Sequence, residues 1–496
     1  MDLASRLRVP PRVPALGPAL WLACALLLAG ADAPPRGTET WYRIVAADGT
    51  AIGHVRSEVR QGAGGRETVS EQQILVDSGE GSTRISERRI VREDSSGRPA
   101  SISEYSQIGR SWSRVEARIG PDKAEIVRST AAGRTASTVP LPPGVRFDSG
   151  SGLLRGWNRA AAPRLEFDNL AVAATTVEHV VIEPDPATAN ADGSFSVIRR
   201  RFEGHELRSV GRLTLAPDGR VRSTTQPMMG TSVTIELSDR ETALKPHSPY
   251  RLLHSAMVKS PFRISPEAMR GRIRYLFAYR DGLAFRLPET GEQRAVASAG
   301  GVAVDICTDC GPGLAADKAA LAEALRPTAW LQSDHPRLKA IARPIARLST
   351  GDARKMALLA EKARPYLETI DFAGHFSALE TLDRKAGDCT EAAVLLAALG
   401  RAAGIPTRVA SGLVYSRERY HGVANGFMPH SWTLAYVDGR WRSFDLALDT
   451  FDSTHIALTV GDGDSRSILA AGQLASLLDW KEMSEIRSRP ARPPQS

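Results

Sequence analysis

Eight consecutive apolar residues, Ala392 to Leu399, follow the segment Ala386-Gly387-Asp388-Cys389-Thr390-Glu391. A helix that is apolar on every side has to lie inside a protein, so this run constrains the fold more than any other stretch. Asp388 is a favoured N-cap, and Gly400, Gly404 and Pro406 close the run, which together predict a buried helix with Cys389 in its first turn. The thiol then sits at the positive end of the helix dipole. That field favours thiolate, and a cysteine so placed is expected to have its pKa pulled below about 8.5.

A thiolate nucleophile needs a base and a group to orient that base. His430-Ser431-Trp432-Thr433-Leu434-Ala435-Tyr436-Val437 reads as a strand, Asp438-Gly439 as a two-residue turn and Arg440 to Asp445 as the return strand. That turn sets Val437 opposite Arg440, Tyr436 opposite Trp441, Leu434 opposite Ser443 and Trp432 opposite Asp445. His430 is then diagonal to Asp445 on one side of the sheet. Cys389, His430 and Asp445 thus follow in chain order as thiol, imidazole and carboxylate, the parts of an activated nucleophile. Taken singly, a cysteine at a helix start is usually a small buried hydrophobe, and a histidine beside a tryptophan is usually structural. Their order and register together favour a catalytic geometry.

Gly387-Asp388-Cys389, the helix ending in Arg401-Ala402-Ala403-Gly404-Ile405-Pro406-Thr407-Arg408-Val409, then His430-Ser431-Trp432, Asp438-Gly439-Arg440-Trp441 and Phe444-Asp445 resemble the core of the transglutaminase-like superfamily. The resemblance covers roughly residues 327–460. It implies an α+β, papain-like core in which Cys389 is the nucleophile, His430 the general base and Asp445 the orienting carboxylate. It also implies action on peptide or protein amides, by hydrolysis or by cross-linking.

The N-terminus has another character. Arg6, Arg8 and Arg12 precede an apolar run from Ala15 to Leu28, followed by Ala29-Gly30-Ala31, a small-x-small cleavage pattern. We read residues 1–31 as a secretory signal, which implies an exported, periplasmic protein that is not transmembrane once cleaved; the run is short for an anchor. Cys24 leaves with the leader. Of the remaining cysteines, Cys307 and Cys310 form a C-x-x-C pair, open to three readings in an oxidising setting: disulfide, redox couple or half a metal site. Gly311-Pro312-Gly313 follows where a redox motif would open a helix, and no second cysteine pair completes a zinc site. A short-loop disulfide is the preferred reading. It isolates Cys389 as an unpaired thiol.

Between residues 39 and 240 short alternating segments are broken by turn signals at Asp48-Gly49, Asp192-Gly193 and Asp218-Gly219, predicting an antiparallel all-β domain, half-barrel or meander. Prolines at 246, 249 and 261 mark a linker. A small β unit follows over 256–314, with strands expected at Arg272–Tyr279, Leu283–Leu287 and Val302–Ile306 and a turn at Asp281-Gly282. A catalytic domain is expected over 315–475. Its helices are predicted at Ala315–Leu325, Pro336–Leu348 and Ala353–Ile370, with breaks near Pro344 and Pro365. Asp449 to His455 carries several oxygen donors but not in the order of a calcium loop, and we read it as a solvated strand connection. Residues 487–496 read as a disordered tail. The fold class is therefore multidomain, all-β followed by α+β.

A formal charge of +8 falls to about +6 without the leader, with 56 acidic residues mixed among the basic ones. No clustered basic patch suits nucleic acid. Peptide or protein amides are the expected substrates, envelope proteins are candidate partners, and no cofactor is implied. The competing class is a non-enzymatic envelope module that binds peptides on a transglutaminase-like fold.

Overall fold

The computed structural model describes residues 39–486 apart from 63–64, 78–81, 110, 132, 149–150, 156, 190–191, 229–230, 252–253, 255, 261–262, 281–282, 370–374 and 419–422. The signal sequence, the terminal tail and the Asp281-Gly282 turn lie outside the described residues.

Residues 39–238 form one antiparallel sheet of fourteen strands. Strands succeed one another from Glu39–Ala46 out to Gly133–Pro140 at one edge. From the other edge, Leu165–Ala171, they run back to Thr231–Ser238, which pairs with Glu39–Ala46. The turns at Gly49, Gly193 and Gly219 all hold positive φ, as the sequence signals require. Alternation sends Tyr42, Ile44, Val55, Ile74 and Ile85 inward, while arginine and glutamate alternate outward and pair between neighbouring strands. The inner face is not wholly apolar: Gln72, Glu87, Arg89 and Arg128 are buried on it.

The C-terminal half holds two smaller sheets and a group of helices. One sheet runs Gln293–Ser298, Gly301–Ile306, Ile273–Tyr279 and Leu478–Glu485, so the last strand of the described chain completes a unit begun some two hundred residues earlier. The segment Leu283–Leu287, expected as a strand, joins no strand ladder among the described residues; Gln293–Ser298 takes that place. Its alternation is real, since Leu283, Phe285 and Leu287 are buried and Ala284 and Arg286 exposed. They pack on the core without joining a ladder, which periodicity alone cannot reveal.

The second sheet orders Val258–Lys259, Gly426–Val437, Thr407–Ser416 and Ile456–Gly461, with Arg440–Phe444 paired to Gly426–Val437. Helices Pro336–Ala346, Asp352–Ala363 and Ala378–Arg384 surround the central helix Cys389–Ala402. The first runs through Pro344 without the expected break, and the second starts one residue before its predicted span and gives way to a 3-10 turn containing Pro365, where proline removes a helical donor. The helix expected at Ala315–Leu325 shortens to Lys318–Glu323. Leu395, Leu396 and Leu399 are fully buried among these helices; each contributes roughly 1.5–3 kcal/mol. The Ser465–Ser476 helix ties the halves together. Its Ala471 and Leu474 share a core with Leu207 and Val210 of the large sheet, and Arg466 pairs with Glu178 and Glu203. No helix among the described residues is long and apolar enough to cross a membrane.

Candidate active site

The central helix begins at Cys389, as its N-cap predicted. Asp388 accepts from the Thr390 N–H at 2.7 Å, and Glu391 Oε2 accepts from the Asp388 N–H at 3.0 Å, a reciprocal cap. Glu391 is itself held by the Phe376 N–H at 3.0 Å and lies 3.6 Å from His375 Nδ1. Burial opposes its charge, but these partners hold its carboxyl below the usual range, whereas burial and the facing Glu391 push Asp388 up.

The hairpin forms in the predicted register: Val437 faces Arg440, Tyr436 faces Trp441 and Leu434 faces Ser443. Asp438 and Gly439 both hold positive φ, the geometry of a type I′ turn. Ladder pairing ends at Thr433 and Phe444, one step before Trp432 and Asp445. Thr433 Oγ1 donates to the Ala393 carbonyl at 2.9 Å, fastening the strand to the central helix. On the other face, Glu292 accepts from the Ser443 N–H at 2.7 Å and ties the return strand to the small sheet.

His430 and Asp445 meet where the register puts them. His430 Nε2 stands 2.6 Å from Asp445 Oδ2, with both side chains buried. His430 Nδ1 is buried without a hydrogen-bond partner among the described residues. Asp445 Oδ1 accepts from the N–H groups of Ala447 and Leu448 at 2.8 and 2.9 Å. Cys389 comes to the same strand, because the backbone N–H of Ser431, the residue after His430, faces its sulfur.

Two features were not expected. The segment Asp449 to His455 is not a solvated connection at its C-terminal end. His455 is buried, with Nε2 3.0 Å from the same Asp445 Oδ2 and Nδ1 3.2 Å from Asp452 Oδ1. Asp452 is in turn held by the N–H and hydroxyl of Thr454. Burial opposes the imidazolium, but the two carboxylates overcome it and raise His455 to about 9. Burial likewise opposes Asp445, and the two imidazoles hold it far below the usual carboxylate range. The available signal was a histidine directly before the apolar strand Ile456–Val460, preceded by an Asp-Ser-Thr turn; nothing in its spacing pointed to Asp445. Second, the Cys389 thiol is pushed up, not down. Burial is the largest cause, followed by the Asp388 carboxylate, and the Ser431 N–H only partly offsets them. At so dry a helix start, burial outweighs the pull of the dipole.

His430, Asp445 and His455 could also bring three ligand atoms within 4.8 Å of one another. The short imidazole–carboxylate contacts and the raised His455 are those of a proton-filled network, which a cation would have to displace.

Residues 339–446 match the transglutaminase-like superfamily. This transglutaminase-like domain contains Cys389, His430 and Asp445, and the large sheet lies wholly ahead of it. No curated protein matches the chain. Among solved structures, a β-barrel-like protein of a domain of unknown function from Brucella abortus is 14% identical, covering 41% of this chain and 96% of its own at a TM-score of 0.32. A candidate cysteine protease from Cytophaga hutchinsonii is 16% identical, with 44% of this chain and 84% of its own covered at a TM-score of 0.28. A candidate protease from Parabacteroides distasonis is 13% identical, with 82% and 66% covered at a TM-score of 0.18.

Proposed function

We propose that this chain is an exported thiol acyl-transfer enzyme that hydrolyses amide bonds of peptides or proteins through Cys389, His430 and Asp445. The observation that carries the reading is the 2.6 Å contact of His430 Nε2 with Asp445 Oδ2. If Nε2–H donates to that carboxylate, the neutral ring holds its lone pair on Nδ1, a buried atom with no hydrogen-bond partner among the described residues. The base is oriented and its accepting nitrogen is left open beside the strand residue whose N–H faces the Cys389 sulfur.

In this reading the Cys389 proton passes to His430 Nδ1 as the sulfur attacks the amide carbonyl, and Asp445 stabilises the resulting imidazolium. A thiol raised by burial acts as such a nucleophile only when proton transfer accompanies attack. The backbone N–H of Cys389, at the start of the helix, offers one donor to the oxyanion. Collapse breaks the C–N bond, the amine leaves with the proton from Nδ1, and a thioester remains. Water, deprotonated by the same nitrogen, then releases the acid. Hydrolysis is favoured over cross-linking because water needs no second binding site. His455 acts through Asp445 as a positioning residue, keeping that carboxylate ionised in a dry setting.

The test is cleavage of a peptide library by the purified protein with and without Cys389→Ala, beside incorporation of a labelled amine. Cleavage that disappears in the variant supports hydrolysis; labelled amine in the product would move the reading to cross-linking. A second reading, a binding module without turnover, draws on the burial of Cys389 and its raised pKa. Peptide binding without cleavage, unchanged by Cys389→Ala, would favour it.

A further inference from the structure

A cavity of about 940 Å³ lies between the inner face of the large sheet and the C-terminal half, and its walls carry Glu104 and Arg128 on one side and Trp330 and Arg408 on the other. Arg128 sits opposite Val115 in the sheet and is only 8% exposed. Its guanidinium donates to the Ala173 carbonyl and, at 3.5 Å, to Ser113 Oγ, and it stands 5.8 Å from the centroid of the Trp330 ring. No carboxylate among the described residues forms an ion pair with it; Glu104 and Asp464 act on it only from further away. The six other guanidiniums lining the cavity each lie within 3.9 Å of a carboxylate.

A buried cation without a counter-charge is costly, and its burial already pulls its pKa down. The lining holds seven guanidiniums and eight carboxylates, of which burial pushes Glu87 toward its neutral form, so the unmatched positive charge is local to Arg128. That suits a monoanion better than a phosphate dianion. Val115, Leu170 and Val172 add apolar wall, and the paired arginines and glutamates supply groups for backbone amides. The volume is at the upper end of the roughly 300–1,000 Å³ typical of ligand pockets, room for a few residues. We propose that this cavity binds a peptide carrying one carboxylate among apolar side chains, with Arg128 receiving the carboxylate beside the face of Trp330. Trp330 stacks on His375 at 4.2 Å, and His375 reaches Glu391 in the cap of the Cys389 helix. Trp330, His375 and Glu391 would thus stand in series between the peptide and the helix start that carries the candidate nucleophile, and peptide binding does not require turnover.

The test uses the full chain with Cys389→Ala, so that cleavage cannot consume the probe. Three pools of N-acetylated tetrapeptides of Ala, Val and Leu are titrated by calorimetry: one with a free C-terminal carboxylate, one amidated, and one amidated with a single Glu. Saturable binding of the first or third pool is expected, and which of them binds locates the carboxylate. Arg128→Met should weaken that binding by about tenfold to a hundredfold, the range of a hydrogen bond to a charged group. Without peptide, Arg128→Met should melt higher than its parent, since an unpaired buried charge is gone. Equal binding of the neutral pool, no binding of any pool, unchanged affinity in Arg128→Met, or a lower melting temperature for that variant would each overturn the proposal.

Discussion

In the large sheet, Arg56 reaches Glu39 and Glu71 on the two neighbouring strands and Glu58 on its own, with 26% of its side chain exposed. In the transglutaminase-like domain, Asp445 takes His430 and His455 on one oxygen with 1% of its side chain exposed. The two networks use the same chemistry in different solvents. Water screens the first, so its members are individually dispensable. The second is dry, and each member is compensated only by the others, so losing one leaves charge stranded.

The comparison is tested hardest by Asp445→Ala. It removes the carboxylate shared by two imidazoles and should cost about 3–5 kcal/mol, measured by urea denaturation; a loss below 1 kcal/mol would mean the buried network behaves like the exposed one. His455→Gln probes the same network by pH. A histidine raised from 6.5 to about 9 stabilises the fold fully below pH 6.5 and loses that contribution as pH climbs through 9. The native protein should therefore lose stability on the order of 3 kcal/mol across that alkaline window. His455→Gln should flatten the profile, as read from melting temperatures at successive pH; an equal slope in the variant would remove His455 as the titrating group. The smallest effect belongs to the sheet. Glu71→Gln breaks contacts with Arg56 and Arg88 and should cost about 1 kcal/mol or less, vanishing at high salt.

The same contrast explains what could be read from the residues. Each sheet charge has its partners set by strand register, and alternation with turn glycines reports register directly, so the all-β region and its turns at Gly49, Gly193 and Gly219 were legible. The hairpin was legible for the same reason: Asp438-Gly439 fixes the pairing that carries His430 to Asp445. His455 was not, because its contact with Asp445 depends on how Ile456–Gly461 docks beside Thr407–Ser416, a tertiary event without a local signature. The thiol of Cys389 was misjudged by the same kind of omission, since burial is a property of the neighbours. Leu283–Leu287 shows the converse error, where a correct two-residue period marked packing but not pairing.

The pairing of Leu478–Glu485 with Ile273–Tyr279 has a bearing on the order of events in synthesis. A ribosome releases the chain from its N-terminus, so the large sheet, whose strands mostly pair with sequence neighbours, can close early. Ile273–Tyr279 must wait with one edge open until residues 478–485 have been translated, and Tyr275, Phe277 and Trp480 can stack only then. The nascent chain therefore carries a sticky apolar border through nearly half of its translation, next to a finished sheet able to shelter it.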